Sequence, residues 1–206
     1  MTLTLTGEHV HLVPLREAHI EGLFDAATRD RTTYAWTYVP DSRDAMARYV
    51  ATALADAAAN RAVPFVTTRP NGEILGTTRF GNIERWVWPE PFADRGRTDG
   101  EPDAVEIGWT WLRHDAQRTA VNTEAKLLML GHAFEVWKVT RVALRTDRRN
   151  ARSRAAIERL GAKLDGVLRS HLPTAADGTI RDTATYSILS GEWESVRRGL
   201  LARLGR

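Results

Sequence analysis

Apolar and polar positions alternate from His9 to Leu15, the period of a half-buried strand, and change to helical spacing from Glu17 to Ala27. Ser42 is a fitting N-cap for a second helix: Asp44 lies in its first turn, and the alanine-rich run through Ala59 favours helix up to Asn60. Strand signals then take over. Val63 to Thr68 and Glu73 to Asn82 flank Asn71-Gly72, a dipeptide that tolerates positive φ and so predicts a tight hairpin, and Ala104 to Trp111 reads as the next strand. Beyond it the pattern predicts a helix over Asn122 to Trp137, a strand over Val139 to Thr146 and a helix over Ala151 to Leu160 that Gly161 closes. Lys163 to His171 and Thr179 to Leu189 read as strands about a turn at Asp177-Gly178, and Glu192 to Leu204 as a terminal helix. Strand, two helices, three strands, helix, strand, helix and two strands is the order of a mixed α/β (α+β) domain around a mostly antiparallel sheet. It is not that of a doubly wound nucleotide fold.

Composition narrows the chemistry. A chain of 206 residues without repeats or low-complexity tracts suits one domain spanning 1–206. Cysteine is absent, which removes disulfides, thiolate metal sites and a cysteine acyl-enzyme, and fits a reducing compartment. Met1-Thr2-Leu3-Thr4-Leu5-Thr6 has neither a basic leader nor a long apolar core, and no later run approaches a membrane span, so a soluble cytoplasmic protein is expected. His9 and His11 share a strand face without a third ligand at suitable spacing, so no metal is expected. No Gly-x-Ser-x-Gly elbow supports a serine hydrolase.

Charge matters through its distribution. Twenty-nine Lys and Arg against 26 Asp and Glu leave a formal +3, modest for this length. Arg141, Arg145, Arg148, Arg149, Arg152, Arg154 and Arg159 nevertheless concentrate around one strand-to-helix connection. They can neutralise a nucleotide phosphate, or form a solvated face with ion pairs to Asp147 and Glu158. A nucleic-acid groove is not expected, because aromatics do not interleave with this run.

Two features carry candidate chemistry. Gln117-Arg118-Thr119-Ala120-Val121-Asn122-Thr123 opens a helix, where free backbone N–H groups and the positive end of the helix dipole suit a phosphate. Glu106 on its strand is expected to share a face with Gly108 and Thr110, while Val105, Ile107, Trp109 and Trp111 point the other way. A lone carboxylate among small neighbours is a candidate general base; the plainer alternative is an ion pair with an arginine across the sheet.

The helix opening resembles the pyrophosphate-binding motif of the GNAT superfamily of acetyl-CoA-dependent N-acetyltransferases, Gln/Arg-x-x-Gly-x-Gly/Ala, with Gln117 in first place. Ala120 stands where the family usually has Gly, and Asn122 where it has Gly or Ala. The element order resembles that family throughout. Trp36-Thr37-Tyr38-Val39-Pro40, Glu106-Ile107-Gly108-Trp109, Gly166-Val167-Leu168-Arg169 and Arg181-Asp182 are most similar to the branch of ribosomal-protein N-terminal acetyltransferases, over a core of about residues 8–195. The resemblance implies a sheet splayed between its fourth and fifth strands and pyrophosphate held by the backbone of Arg118, Thr119, Ala120, Val121, Asn122 and Thr123. Pantetheine would lie along the strand ending near Trp109 and Trp111. It further implies that Asn150 lies near the pantetheine arm and that Ser153 protonates the departing sulfur, although Asn150 serves equally as a helix cap and Ser153 as an ordinary first-turn residue.

Transfer to an amine requires a neutral nitrogen. An α-amine with a pKa near ~8 supplies this more readily than a lysine near ~10.4. The expected function is therefore acetyl transfer from acetyl-CoA to a primary amine, a protein N-terminal α-amine or a small-molecule amine, in a ternary complex. A noncatalytic CoA-binding or protein-interaction module is the alternative that the Ala120 and Asn122 departures motivate. Trp36 and Tyr38 border the acceptor in the family. The long connection over 84–103 carries Trp86, Trp88 and Phe92, which suit a lid, a pin to the core or a homodimer contact.

Overall fold

The computed structural model describes residues 3–174 and 176–206; Met1 and Thr2, the first residues of the amino-terminal run read for a leader, lie outside them. A short hairpin opens the chain, β1 (Leu5–Thr6) with β2 (His11–Pro14), followed by α1 (Ile20–Thr28) and α2 (Arg43–Ala58). Ser42 caps α2 as expected, its hydroxyl accepting from the Ala45 N–H at 3.3 Å. The meander β3 (Val63–Thr68), β4 (Ile74–Glu84) and β5 (Ala104–Leu112) leads into α3 (Ala120–Gly131). Then come β6 (Arg141–Asp147), α4 (Ala151–Arg159), β7 (Lys163–Pro173), β8 (Ile180–Leu189) and α5 (Trp193–Arg203). Both expected turns form, with Gly72 at φ 88° and Gly178 at φ 72°, conformations that glycine adopts without steric cost.

Eight strands form one sheet in the order β1-β2-β3-β4-β5-β6-β8-β7, one more than the pattern predicts because Leu5–Thr6 pairs with β2. Every neighbouring pair is antiparallel except β5 with β6. That parallel pair holds only over Ala104↔Arg141, Val105↔Val142 and Glu106↔Ala143. Beyond Glu106 the strands separate, and the expected splay between the fourth and fifth predicted strands is this wedge.

Each face of the sheet has its own core. On one side α3, α4 and α5 pack Met129, Leu130, Ile157, Trp193 and Leu200 onto Phe65, Phe80, Val105, Ile107, Val142 and Tyr186. On the other, α1 and α2 pack Leu23, Ala27, Met46 and Val50 onto Leu15, Val66 and Trp111. The helix predicted over Asn122 to Trp137 is α3 continued by one π-helical turn, His132–Val136. Among the described residues no helix is long and apolar enough to cross a membrane.

Candidate active site

Strand β5 builds the site through a break in its own alternation. Arg79 faces Gly108 and Thr77 faces Trp111, so Trp109 and Thr110 together oppose Thr78, and Trp109 takes φ 49°. This is a β-bulge, which inserts one residue and reverses the facing of everything after it. The expected alternation is therefore corrected at three positions. Trp109 lies on the Glu106 face, its ring against Gly81 and under the Arg79 guanidinium at 4.9 Å. Thr110 turns to the α3 side and hydrogen-bonds Thr78 at 2.8 Å, and Trp111 packs with α1 and α2 rather than with Val105 and Ile107. A period-2 reading carries no signal for an inserted residue.

Glu106 stands at the vertex of the wedge as the last residue of β5 paired with β6. Its Oε2 accepts from Asn82 Nδ2 at 2.7 Å and meets Arg145 Nη1 of β6 at 3.3 Å. Oε1 has no hydrogen-bond donor among the described residues and lies over Gly108, where an added Cβ would come within 3.0 Å of it. The cross-sheet arginine pair and an open carboxylate oxygen thus coexist in one residue. Arg145 Nε, buried, finds no hydrogen-bond partner among the described residues. Sequence reading missed Asn82 and placed Arg145 only within a general arginine cluster, because neither carries a local motif.

Above the vertex, residues 107–112 of β5 lack ladder partners on the β6 side. The wedge opens toward the starts of α3 and α4. At α3, Thr119 is the N-cap: its hydroxyl accepts from the Val121 N–H at 3.3 Å and donates to the Ala116 carbonyl at 2.7 Å. Arg118 just before it takes φ 61°. A cavity of about 220 Å³ beside this turn is lined by Thr119, Ala120 and Val121 together with Glu8, His9, Arg69 and Pro70. A larger one, about 480 Å³, lies between the end of α4 and α5 and touches none of the expected site residues.

At α4 the Asn150 side chain caps the helix by accepting from the Ser153 N–H at 3.0 Å. The Ser153 hydroxyl makes no hydrogen bond to another described side chain or backbone group. Gln117 spans the two limbs instead of turning toward the first turn of α3. Its Nε2 donates to Thr33 Oγ1 and the Leu112 carbonyl, each at 2.8 Å, and Arg152 donates to its Oε1 at 2.6 Å.

The α1–α2 connection covers the end of β5. Arg31 holds it by donating to the Val39 carbonyl at 2.8 Å and the Pro40 carbonyl at 3.0 Å, and Tyr34 donates to the Leu112 carbonyl. Burial pushes the Tyr34 hydroxyl up to about 12, so it acts as a neutral donor. Trp36 reaches the β6–α4 turn, where Arg149 sits 4.3 Å from its ring centroid. Tyr38 is half exposed. In the 84–103 connection Trp86, Trp88 and Phe92 are partly exposed and are not among the described residues of either core; Arg95 stacks on Phe92 at 4.4 Å.

A family model described as an acetyltransferase (GNAT) domain matches residues 9–163. A crystal structure of a "putative acetyltransferase" from T. thermophilus superimposes with a TM-score of 0.78 at 30% identity, covering 99% of this chain and 98% of that one. The chain is also similar to a Mycobacterium smegmatis RimJ structure "in complex with CoA-disulfide", with a TM-score of 0.77, 21% identity and coverage of 98% and 95%; at that identity the fold alone is shared. A Bacillus subtilis (strain 168) protein named "Putative ribosomal N-acetyltransferase YdaF" is 34% identical over 90 residues, 44% of this chain and 48% of that protein, so the match spans about half the length of this curated relative.

Proposed function

The chain belongs to the GNAT acetyltransferase family, and on that premise we propose that it transfers an acetyl group from acetyl-CoA to the α-amine of a protein N terminus by direct attack in a ternary complex. The observation that carries this reading is the half-engaged carboxylate at the vertex. Glu106 Oε2 is fixed by Asn82 and Arg145, while Oε1 is left open above Gly108. A fixed carboxylate with one open oxygen can take the proton that an amine sheds as it attacks, directly or through one water.

The residues present fit acetyl-CoA, which supplies an activated thioester carbonyl when bound. The ladder-free edge of residues 107–112 can pair with an extended amide-containing arm as an added strand would. The start of α3 can receive the diphosphate through its main-chain N–H groups, and Arg118 and Arg152 stand near by. The Thr119 cap occupies the Val121 N–H, so a bound phosphate displaces or shares that weak 3.3 Å bond. Asn150, engaged as the α4 cap, helps to orient that helix start, and the Ser153 hydroxyl is free to give a proton to a departing sulfur. Trp36 and Tyr38 flank the amine's approach, with Trp109 on the Glu106 face.

A protein α-amine is favoured because a carboxylate is a weak base, and a nucleophile already partly neutral at cellular pH asks least of it. An α-amine near ~8 asks less of such a base than a lysine side chain near ~10.4. The naming of the B. subtilis relative supports the same class. The test is thiol release from acetyl-CoA with a panel of amines. Release that depends on peptides with free N termini, and is absent when those are formylated, supports the proposal. Release driven only by small amines overturns the acceptor class, and tight CoA binding without release under any acceptor overturns catalysis.

A further inference from the structure

Lys126 has no place in this chemistry and no obvious place in a core. It lies on α3, where Val121, Ala125, Met129 and Leu130 form the buried face, and it is itself buried. Among the described residues no carboxylate offsets its charge: its Nζ donates to Thr110 Oγ1 at 2.8 Å and Thr78 Oγ1 at 3.1 Å, and these two hydroxyls are 2.8 Å apart. Burial without a counter-charge pushes its pKa down to about 7. An amine so placed opposes folding, since two hydroxyls replace water poorly, and a methionine would fill the same space at lower cost.

What the amine touches gives it a purpose. Thr110 is one of the two bulge residues of β5, and Thr78 is the β4 residue they oppose. From the other face, Tyr49 OH lies 3.0 Å from Thr77 Oγ1, which donates to the Trp109 carbonyl at 3.3 Å. The bulge is thus held on both sides of the sheet, and Lys126 is the member that ties it to the helix whose first turn is the phosphate seat.

We infer that Lys126 is a positioning residue: through Thr110 and Thr78 it fixes the Trp109–Thr110 bulge against α3, so that a main-chain N–H of the bulge is aimed at the oxygen of the thioester carbonyl as negative charge develops there. This rests on the acetyltransferase reading above. A main-chain donor needs such fixing because its contribution depends on being aligned before the charge appears. The lysine is kept for alignment, at the expense of stability.

The test is Lys126→Met, with Thr110→Val as a second variant that breaks the same link and leaves the lysine in place. Lys126→Met is expected to raise Tm by about 3 °C or more, since it removes a buried amine without a counter-charge. It is expected to lower kcat about 10- to 100-fold with the KM for acetyl-CoA unchanged, and Thr110→Val to lower kcat in the same way. Amide hydrogen exchange, measured without ligand, is expected to quicken about tenfold at 109–111 in both variants and to stay unchanged in α2. A fall in Tm or failure of Lys126→Met to fold, or unchanged exchange at the bulge, overturns the inference, as does an unchanged kcat in an active wild type. Exchange and Tm are read without substrate, so an inactive wild type sinks the transferase reading while these two still decide the bulge assignment.

Discussion

Glu106 and Glu124 are both buried acids, one on each side of the sheet, and they differ in how completely they are satisfied. Glu124 is fully buried on α3 and accepts from the N–H groups of Glu8, His9 and Val10 at 3.1, 2.6 and 3.0 Å, with Arg206 as a further donor. It fastens the turn between β1 and β2 to α3 and has nothing left to offer. Glu106 has two partners, both on one oxygen, and stands where two strands part. A saturated carboxylate holds structure, whereas one with an open oxygen at a gap in the sheet is available for chemistry. The contrast agrees with the general cost of unsatisfied buried polar groups, tolerated where a substrate is to complete them.

The contrast is sharpest under substitution. Glu106→Gln keeps shape and can still meet Asn82 through its carbonyl oxygen but cannot take a proton. It is expected to lower kcat/KM by about 100- to 10,000-fold, with the loss shrinking as pH rises and more of the amine is already neutral; Tm should move little. Equal activity across a pH series would place the base elsewhere.

Glu124→Ala should do the opposite, lowering stability by about 3 kcal/mol, or about 10 °C in Tm, by stranding three N–H groups and Arg206, while kcat at low temperature is retained. Burial alone pushes the Glu124 carboxyl up, but the donors of His9, Arg206, Glu8 and Val10 outweigh it and leave its pKa below the ordinary glutamate value. A depressed carboxyl contributes stability that is fully present above its unfolded pKa and lost as pH falls through the folded one. The wild-type advantage over Glu124→Ala should therefore narrow on acidification below the ordinary glutamate range. A constant gap in Tm from neutral to strongly acid pH would count against this assignment.

The smallest effect is expected at Trp36. Its stacking on Arg149 joins the α1–α2 connection to the far limb of the wedge, so Trp36→Ala should raise the KM for the acceptor with a loss below about 1 kcal/mol and leave the KM for acetyl-CoA unchanged. A change confined to acetyl-CoA would move Trp36 out of the acceptor path.

Much of the scaffold was legible because local chemistry agreed with the fold. Ser42, Asn71-Gly72 and Asp177-Gly178 each satisfy one local geometric demand, and each stands where the local rule puts it. Site geometry was less legible because it depends on a local exception and on partners far along the chain. The Trp109–Thr110 bulge turns three side chains to faces that strict alternation does not give them. Asn82 and Arg145 reach Glu106 across 24 and 39 positions of chain without sharing a motif with it. Lys126 did leave a trace, a charged residue on the apolar stripe of Val121, Ala125, Met129 and Leu130, and that mismatch is the kind of signal a helical-face reading can find.

On the proposed reading acetyl-CoA binds in the wedge between β5 and β6, and amide hydrogen exchange with and without acetyl-CoA is the decisive experiment. Protection is expected at 107–112, where β5 lacks a partner, and at the start of α3 around Thr119–Thr123, with α5 unaffected. Protection confined to α5 and the end of α4, beside the 480 Å³ cavity, or no change at the strand edge under saturating ligand, would contradict the account.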